Sequence, residues 1–219
     1  MKKKIFALLA CGPLAFALAG TASAQQGIYV SGNLGISIVG DQTVSGVDEG
    51  EGPWSDETSL DTGFAIHGAV GYNFDIARAE FEIGYSTNDY DTLDSQDYGQ
   101  EDLDGDLTAT TFMANAYYDF KNSSAFQPYV GAGIGLAIID INDLKGSSWD
   151  ADEPAVNVDD TVFAYQIMVG VAYVINPNIS IDLSYRYLGT SDPEMTDQDG
   201  DFDYEFSEHN ILVGLRYTF

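Results

Sequence analysis

Of the 219 residues only one is cysteine, Cys11, and it lies near the N-terminus. Downstream of it there is no thiol for a disulfide, a nucleophile or a sulfur-ligated metal. Basic residues are nearly as scarce: eight, against 35 acidic ones. Three of the eight are Lys2, Lys3 and Lys4, which leaves Arg78, Lys121, Lys145, Arg186 and Arg216 for the rest of the chain. That balance excludes a nucleic-acid or general phosphate-binding surface, which needs clustered Lys and Arg. Long apolar runs are also missing. Beyond the N-terminus nothing approaches the ~18 consecutive apolar residues of a membrane-crossing helix.

What is present begins with an export signature. The three lysines precede an apolar stretch from Ile5 to Leu18, and Ala22-Ser23-Ala24 supplies small residues for a signal peptidase. Residues 1–24 are read as a signal peptide, with one domain over residues 25–219. Without the leader the formal charge is −30, from five basic and 35 acidic residues. Leu8-Leu9-Ala10-Cys11 loosely resembles a lipobox. It would leave only about six apolar residues before Cys11, short of the 7–15 of an ordinary apolar core.

The mature chain alternates with period 2, the signature of strands with one apolar side. In 27–39, Ile28, Val30, Leu34, Ile36 and Ile38 share one face, and Tyr29, Ser31, Asn33 and Ser37 the other. The pattern returns in 62–74, 77–87, 108–120, 128–139, 161–175, 179–188 and 209–219. Three connections are short: Asp75-Ile76, Lys121 to Gln127, and Asn176-Pro177-Asn178. Four are about twenty residues long: 40–61, 88–107, 140–160 and 189–208. Eight strands of about ten residues, joined by short and long connections in turn, suit an up-and-down barrel crossing a bilayer.

Alternation alone fits a soluble sandwich as well. Two features favour lipid on the apolar side. The polar face carries charges, glycines and small residues, as a crowded lumen requires. The apolar face carries aromatic residues near strand ends, among them Phe64, Tyr72, Phe74, Tyr85, Tyr118, Phe120, Tyr173, Tyr185, Tyr187, Tyr217 and Phe219, as in interfacial girdles. The predicted class is all-β: an eight-stranded antiparallel transmembrane barrel with four long extracellular loops.

Three stretches then carry a family resemblance: Met113 to Phe120 (MANAYYDF), Pro128 to Gly135 (PYVGAGIG) and Ile181 to Leu188 (IDLSYRYL). They resemble the small outer-membrane β-barrels, the group of opacity-type surface antigens and OmpA/OmpX-like barrels. The ending Leu215-Arg216-Tyr217-Thr218-Phe219 is similar to the terminal strand read by the barrel-assembly machinery, with Phe219 as the assembly signal. The resemblance implies the outer membrane of a Gram-negative cell, with lipid, lipopolysaccharide and that machinery as partners. It says little about activity. The chain ends without the peptidoglycan-binding domain of full-length OmpA, so a cell-wall tether is not carried over.

Three places are candidates for chemistry. The lumen is expected to hold Arg78, Glu80, Glu82, Asp119, Asp182, Arg186 and Arg216. Counting back from the hairpins sets Arg78 across from Asp119 and Arg216 across from Asp182. Glu80, Glu82 and Arg186 complete the network, because buried charges must pair. The network is either a structural plug or the gate of a narrow cation-preferring channel. The loops hold 30 of the 35 acidic residues. Asp102, Asp104 and Asp106, and likewise Asp197, Asp199, Asp201 and Asp203, echo the start of a Ca²⁺-binding loop, with the Gly early and the closing Glu absent. Weak Ca²⁺ or Mg²⁺ binding is left open there, with no other cofactor expected. Loops so rich in Gly, Asp and Ser read as mobile. Some small outer-membrane barrels modify lipid A, one of them through a His-x-Ser pair. Here His209 is followed by Asn210 and Ile211, and Ser207 lies before it. His67 reads as a packed lumen residue, and no Ser-His-acid spacing occurs, so no enzyme is expected. The expected role is structural, with adhesion or host contact through the acidic loops; a channel and, behind it, a lipid A enzyme are the alternatives.

Overall fold

The computed structural model describes residues 26–40, 42–48, 52–95, 99–147, 155–191, 194–197, 200–203 and 206–219, which consist of strands and turns. The leader assigned to residues 1–24 lies outside the described residues. Eight antiparallel strands close into a ring. In ring order they are β1 (Gly27–Val39), β4 (Gly63–Asn73), β5 (Ala77–Ser95), β6 (Gly99–Asp119), β7 (Phe126–Gly146), β8 (Val156–Asn176), β9 (Ile179–Thr190) and β12 (Ser207–Thr218). The seam is β1 against β12, in register from Tyr29↔Thr218 to Val39↔Glu208.

The short-turn end is built by asparagines. Asn73 Oδ1 accepts the Asp75 amide at 2.9 Å, Asn122 Oδ1 the Ser124 amide at 2.7 Å, and Asn176 Oδ1 the Asn178 amide at 2.9 Å. In each case the carboxamide stands in for a backbone carbonyl two residues ahead of the amide and folds the chain back. Asp75 sits at φ 89°, the left-handed region that so tight a reversal demands.

The apolar side of every ring strand faces outward. Ile134 is 60% exposed, Ile167 58% and Leu215 55%. In water this surface would be a large aggregation liability; in lipid it is the buried side. Along β4, Phe64 lies near the long-connection end and Tyr72 and Phe74 at the other, all three outward. Ten residues span about 33 Å at ~3.3 Å each, and a tilt of ~40° reduces that to about 25 Å, the height of an outer-membrane apolar band. Phe219 ends the seam at the same level. It packs edge-on to Tyr217 at 5.0 Å, and its amide donates to Ile28 O at 2.9 Å.

The lumen is narrow because bulky inward residues stand opposite glycines. Tyr29 pairs with Gly71, Tyr117 with Gly131 and Tyr129 with Gly170. A Cβ at any of these glycines would come within 2.4 to 2.5 Å of the facing ring.

Beyond the membrane band the structure departs from the sequence reading. The segments 88–107 and 140–160, expected as mobile loops, are in large part continuations of β5–β6 and β7–β8. Segment 40–61 contains a hairpin, β2 (Gln42–Asp48) and β3 (Gly52–Leu60), and β3 adds to β5. Segment 189–208 carries a small separate hairpin, β10 (Glu194–Asp197) and β11 (Gly200–Asp203). Polar side chains do not prevent strand pairing, since ladder bonds are made by the backbone alone. The continuations also have an apolar side. Tyr90, Leu107, Ile139, Ile141 and Phe206 form a buried cluster with Leu60, Leu103, Leu144 and Val158 packed on it.

Ile134→Arg, at the middle of the lipid face, should destabilise the refolded barrel by about 2–4 kcal/mol. Gln100→Arg, on the exposed outer sheet, should leave it nearly unchanged. Guanidinium titration in lipid bilayers would resolve the two.

Candidate functional site

The inward face is layered along the barrel axis. At the short-turn end Arg78 Nε meets Asp119 Oδ2 at 2.9 Å, and the guanidinium lies over the rings of Tyr117 and Tyr129, 4.3 and 4.7 Å from their centroids. Arg216 Nη2 donates to Asp182 Oδ1 at 3.1 Å and its Nε to Ser180 Oγ at 3.2 Å. Both expected pairs are bonded, but diagonally: in register Arg78 stands opposite Tyr117 and Arg216 opposite Ser180, with each carboxylate two residues further along.

One layer further in, the expected trio divides. Arg186 grips Glu82 through two parallel bonds, 2.6 and 2.7 Å, and Gln166 adds a third at 3.3 Å. Arg186 also donates to His67 Nδ1 at 3.0 Å. Among the described residues Glu80 takes no part in an ion pair; it accepts from Tyr29 Oη at 2.7 Å, Tyr117 Oη at 2.6 Å and Asn115 Nδ2 at 3.1 Å. A carboxylate with three donors is satisfied without a cation. The side chains leave a cavity of about 20 Å³, room for about one water.

Two parts of this interior escaped the sequence reading. Glu208, assigned to a loop, is 1% exposed and accepts from Ser37 Oγ at 2.7 Å and Ser86 Oγ at 3.1 Å. It shares the parity of Asn210 and Arg216 on β12, which is the signal that marks it. With it the inward charges number three positive and five negative, one carboxylate more than the seven charged residues expected in the lumen from sequence. The second is an apolar cap. Toward the long-connection end the inward positions become Leu107, Ala109, Met113, Ala137, Ile139, Val162 and Leu188, all buried. Burying an Ile, Leu or Met contributes about 1.5–3 kcal/mol, so this cluster stabilises the outer end of the barrel.

Outside the membrane band lies an acidic cleft of about 940 Å³, lined by Asp61, Asp89, Asp91, Asp102, Asp104, Asp106, Asp143 and Lys145 among others. Asp102, Asp104 and Asp106 thus come together with carboxylates from three other segments. Among the described residues no group of three or more His, Cys, Asp or Glu side chains has the arrangement of a metal cage. Asp197, Asp201 and Asp203 lie on the β10–β11 hairpin, and Asp199 and the side chains of the other three fall outside the described residues. His209 faces outward at the barrel rim, with Nδ1 engaged to Tyr185 Oη at 2.6 Å.

Comparison with known proteins agrees with this architecture. The family model for the outer membrane protein beta-barrel domain matches residues 5–219. The outer membrane protein PagN of Salmonella typhimurium is 29% identical over 94% of this chain and 96% of its own. A putative adhesin of Rickettsia conorii is 27% identical over 50% of this chain and 48% of its own. Among solved structures, the outer membrane protein OprG of Pseudomonas aeruginosa superposes with a TM-score of 0.60 at 14% identity, covering 93% of this chain and 100% of that one.

Breaking the central pair on one side leaves a buried unpaired charge, at a cost of about 3–5 kcal/mol. Arg186→Met should therefore lower barrel stability by that order, and adding Glu82→Met should recover most of it. Chemical unfolding of the single and double variants in one detergent provides the comparison.

Proposed function

This chain belongs to the outer membrane protein β-barrel family, and from that premise we propose that its barrel is an anchor and its acidic outer sheet the working part, contacting cationic surfaces outside the cell. The observation that carries this reading is the division of charge. Inside the membrane every carboxylate is paired or capped by donors, whereas the cleft outside gathers seven aspartates beside one lysine. Seven like charges are tolerated only where water and counter-ions screen them, and they attract any polycation that replaces those ions.

One relative, matched over half of this chain, is described as a putative adhesin, which supports a contact role. In this reading residues 1–24 direct export, Phe219 is read during assembly, and lipid and lipopolysaccharide surround the apolar belt. Weak Ca²⁺ or Mg²⁺ association with the cleft is part of the proposal, as counter-ions rather than as a resident cofactor; nucleic acid is not a partner. A conducting role finds little support in the charge layer of the lumen, where the side chains leave a cavity with room for about one water. His209 faces outward with Nδ1 engaged to Tyr185 Oη, and among the described residues it makes no ion pair with a carboxylate.

Cells displaying the chain should adhere to a surface coated with a cationic polypeptide, and less so as salt rises past a Debye length of ~8 Å. They should not adhere to an anionic polysaccharide. Asp89→Asn, Asp91→Asn, Asp102→Asn and Asp104→Asn together should abolish that adhesion while the gel shift on heating shows the barrel still folded. Undiminished adhesion by the folded variant would contradict the reading.

A further inference from the structure

Four neighbouring strand pairs lose register at one level just outside the membrane band. The slip falls between Ser59 and Leu60 where β3 meets β5, and between Asp89 and Thr92 where β5 meets β6. It falls between Asp104 and Asp106 where β6 meets β7, and between Ile141 and Leu144 where β7 meets β8. Two residues on this line have left-handed backbone, Gly105 at φ 150° and Asp143 at φ 51°. One bulge bends a strand and interrupts its ladder. Bulges at one height on adjacent strands make a crease across the whole sheet, with the closed barrel below and the outer sheet above.

The acidic cleft lies along the same crease. The charged groups facing it are Asp89 and Asp91 from β5, Asp102, Asp104 and Asp106 from β6, Asp143 and Lys145 from β7, and Asp61 from the β3–β4 link. Asp89 and Asp106 face each other in the last regular pair below the slip. Repulsion is therefore concentrated where the sheet bends most readily, and where a small change in angle most alters the distance between charges.

We propose that the crease is a hinge whose angle is set by the ionisation of the carboxylates along it: the outer sheet is held open at neutral pH and folds toward the barrel wall on acidification. Asp106 is one such group. Its hydrogen bond to Asp89 raises it above the ordinary carboxylate range, with partial burial and the charges of Asp89 and Asp143 acting in the same direction. A raised carboxylate favours the closed form below its ordinary value, and that preference is lost as pH rises through the raised one.

The mature chain lacks cysteine once Cys11 leaves with the leader, so spin labels can be placed at will. Labels at Gln100→Cys on the outer sheet and Ser191→Cys at the barrel rim, both exposed, report the hinge angle in bilayers by pulsed dipolar spectroscopy. Between neutral pH and about pH 4.5, just above the ordinary range of Asp, the mean distance should shift and its distribution narrow. Asp89→Asn with Asp106→Asn should give the low-pH distribution already at neutral pH. Identical distributions at both pH values in the unsubstituted chain would overturn the hinge. A full pH response that persists in the double variant would overturn its assignment to this pair. The first comparison decides even if the double variant does not fold.

Discussion

In hydrocarbon no water is available to pair a backbone N–H or C=O, so a sheet crossing the bilayer must close on itself. The rest of the structure follows from that closure. The seam between β1 and β12 removes the last free edge within the band. Closure also fixes the two faces: outward side chains meet lipid and are apolar, and inward ones are enclosed and must fill a space just wide enough for them. Glycines opposite Tyr29, Tyr117 and Tyr129 make the fit possible.

Enclosure raises the cost of every unpaired charge, and the lumen answers in two ways. Arg78, Arg186 and Arg216 each hold a carboxylate, while Glu80 and Glu208 are held by neutral donors alone. Buried pairs add little net stability compared with apolar packing. Their contribution is to fix register and to exclude alternatives in which one partner is stranded. The apolar cluster, by contrast, stabilises outright, and it shares the outer end of the lumen with Glu208, which stands opposite Leu188. The lumen is thus lined both by salt bridges and by apolar packing, and most of the acidity lies in the sheet that rises beyond the membrane.

Much of the barrel is legible in the sequence because alternation and short turns are local. Ile28 to Ile38 declare the outward face of β1 without reference to any other strand. Arg78–Asp119 and Arg216–Asp182 are legible because each joins neighbouring strands by residues near the short-turn end, although β5–β6 and β9–β12 are linked at the far end by long connections. Arg186–Glu82 joins β9 to β5 across the lumen, so it depends on how the ring closes. The outer sheet was masked by composition: Asp, Gly and Ser read as loop, although Leu103, Leu107, Ile139 and Ile141 supply a buried side. Glu208 was hidden likewise, a carboxylate in an acidic stretch whose parity alone sets it inside.

The central claim is that the membrane-spanning part is a filled anchor and that function resides outside it. Planar-bilayer recording of the refolded mature chain at neutral pH tests this most directly. The account predicts no discrete conductance steps, both for the unsubstituted chain and for Asp102→Asn in the outer cleft. Uniform, reproducible steps that vanish on Glu82→Gln would contradict it.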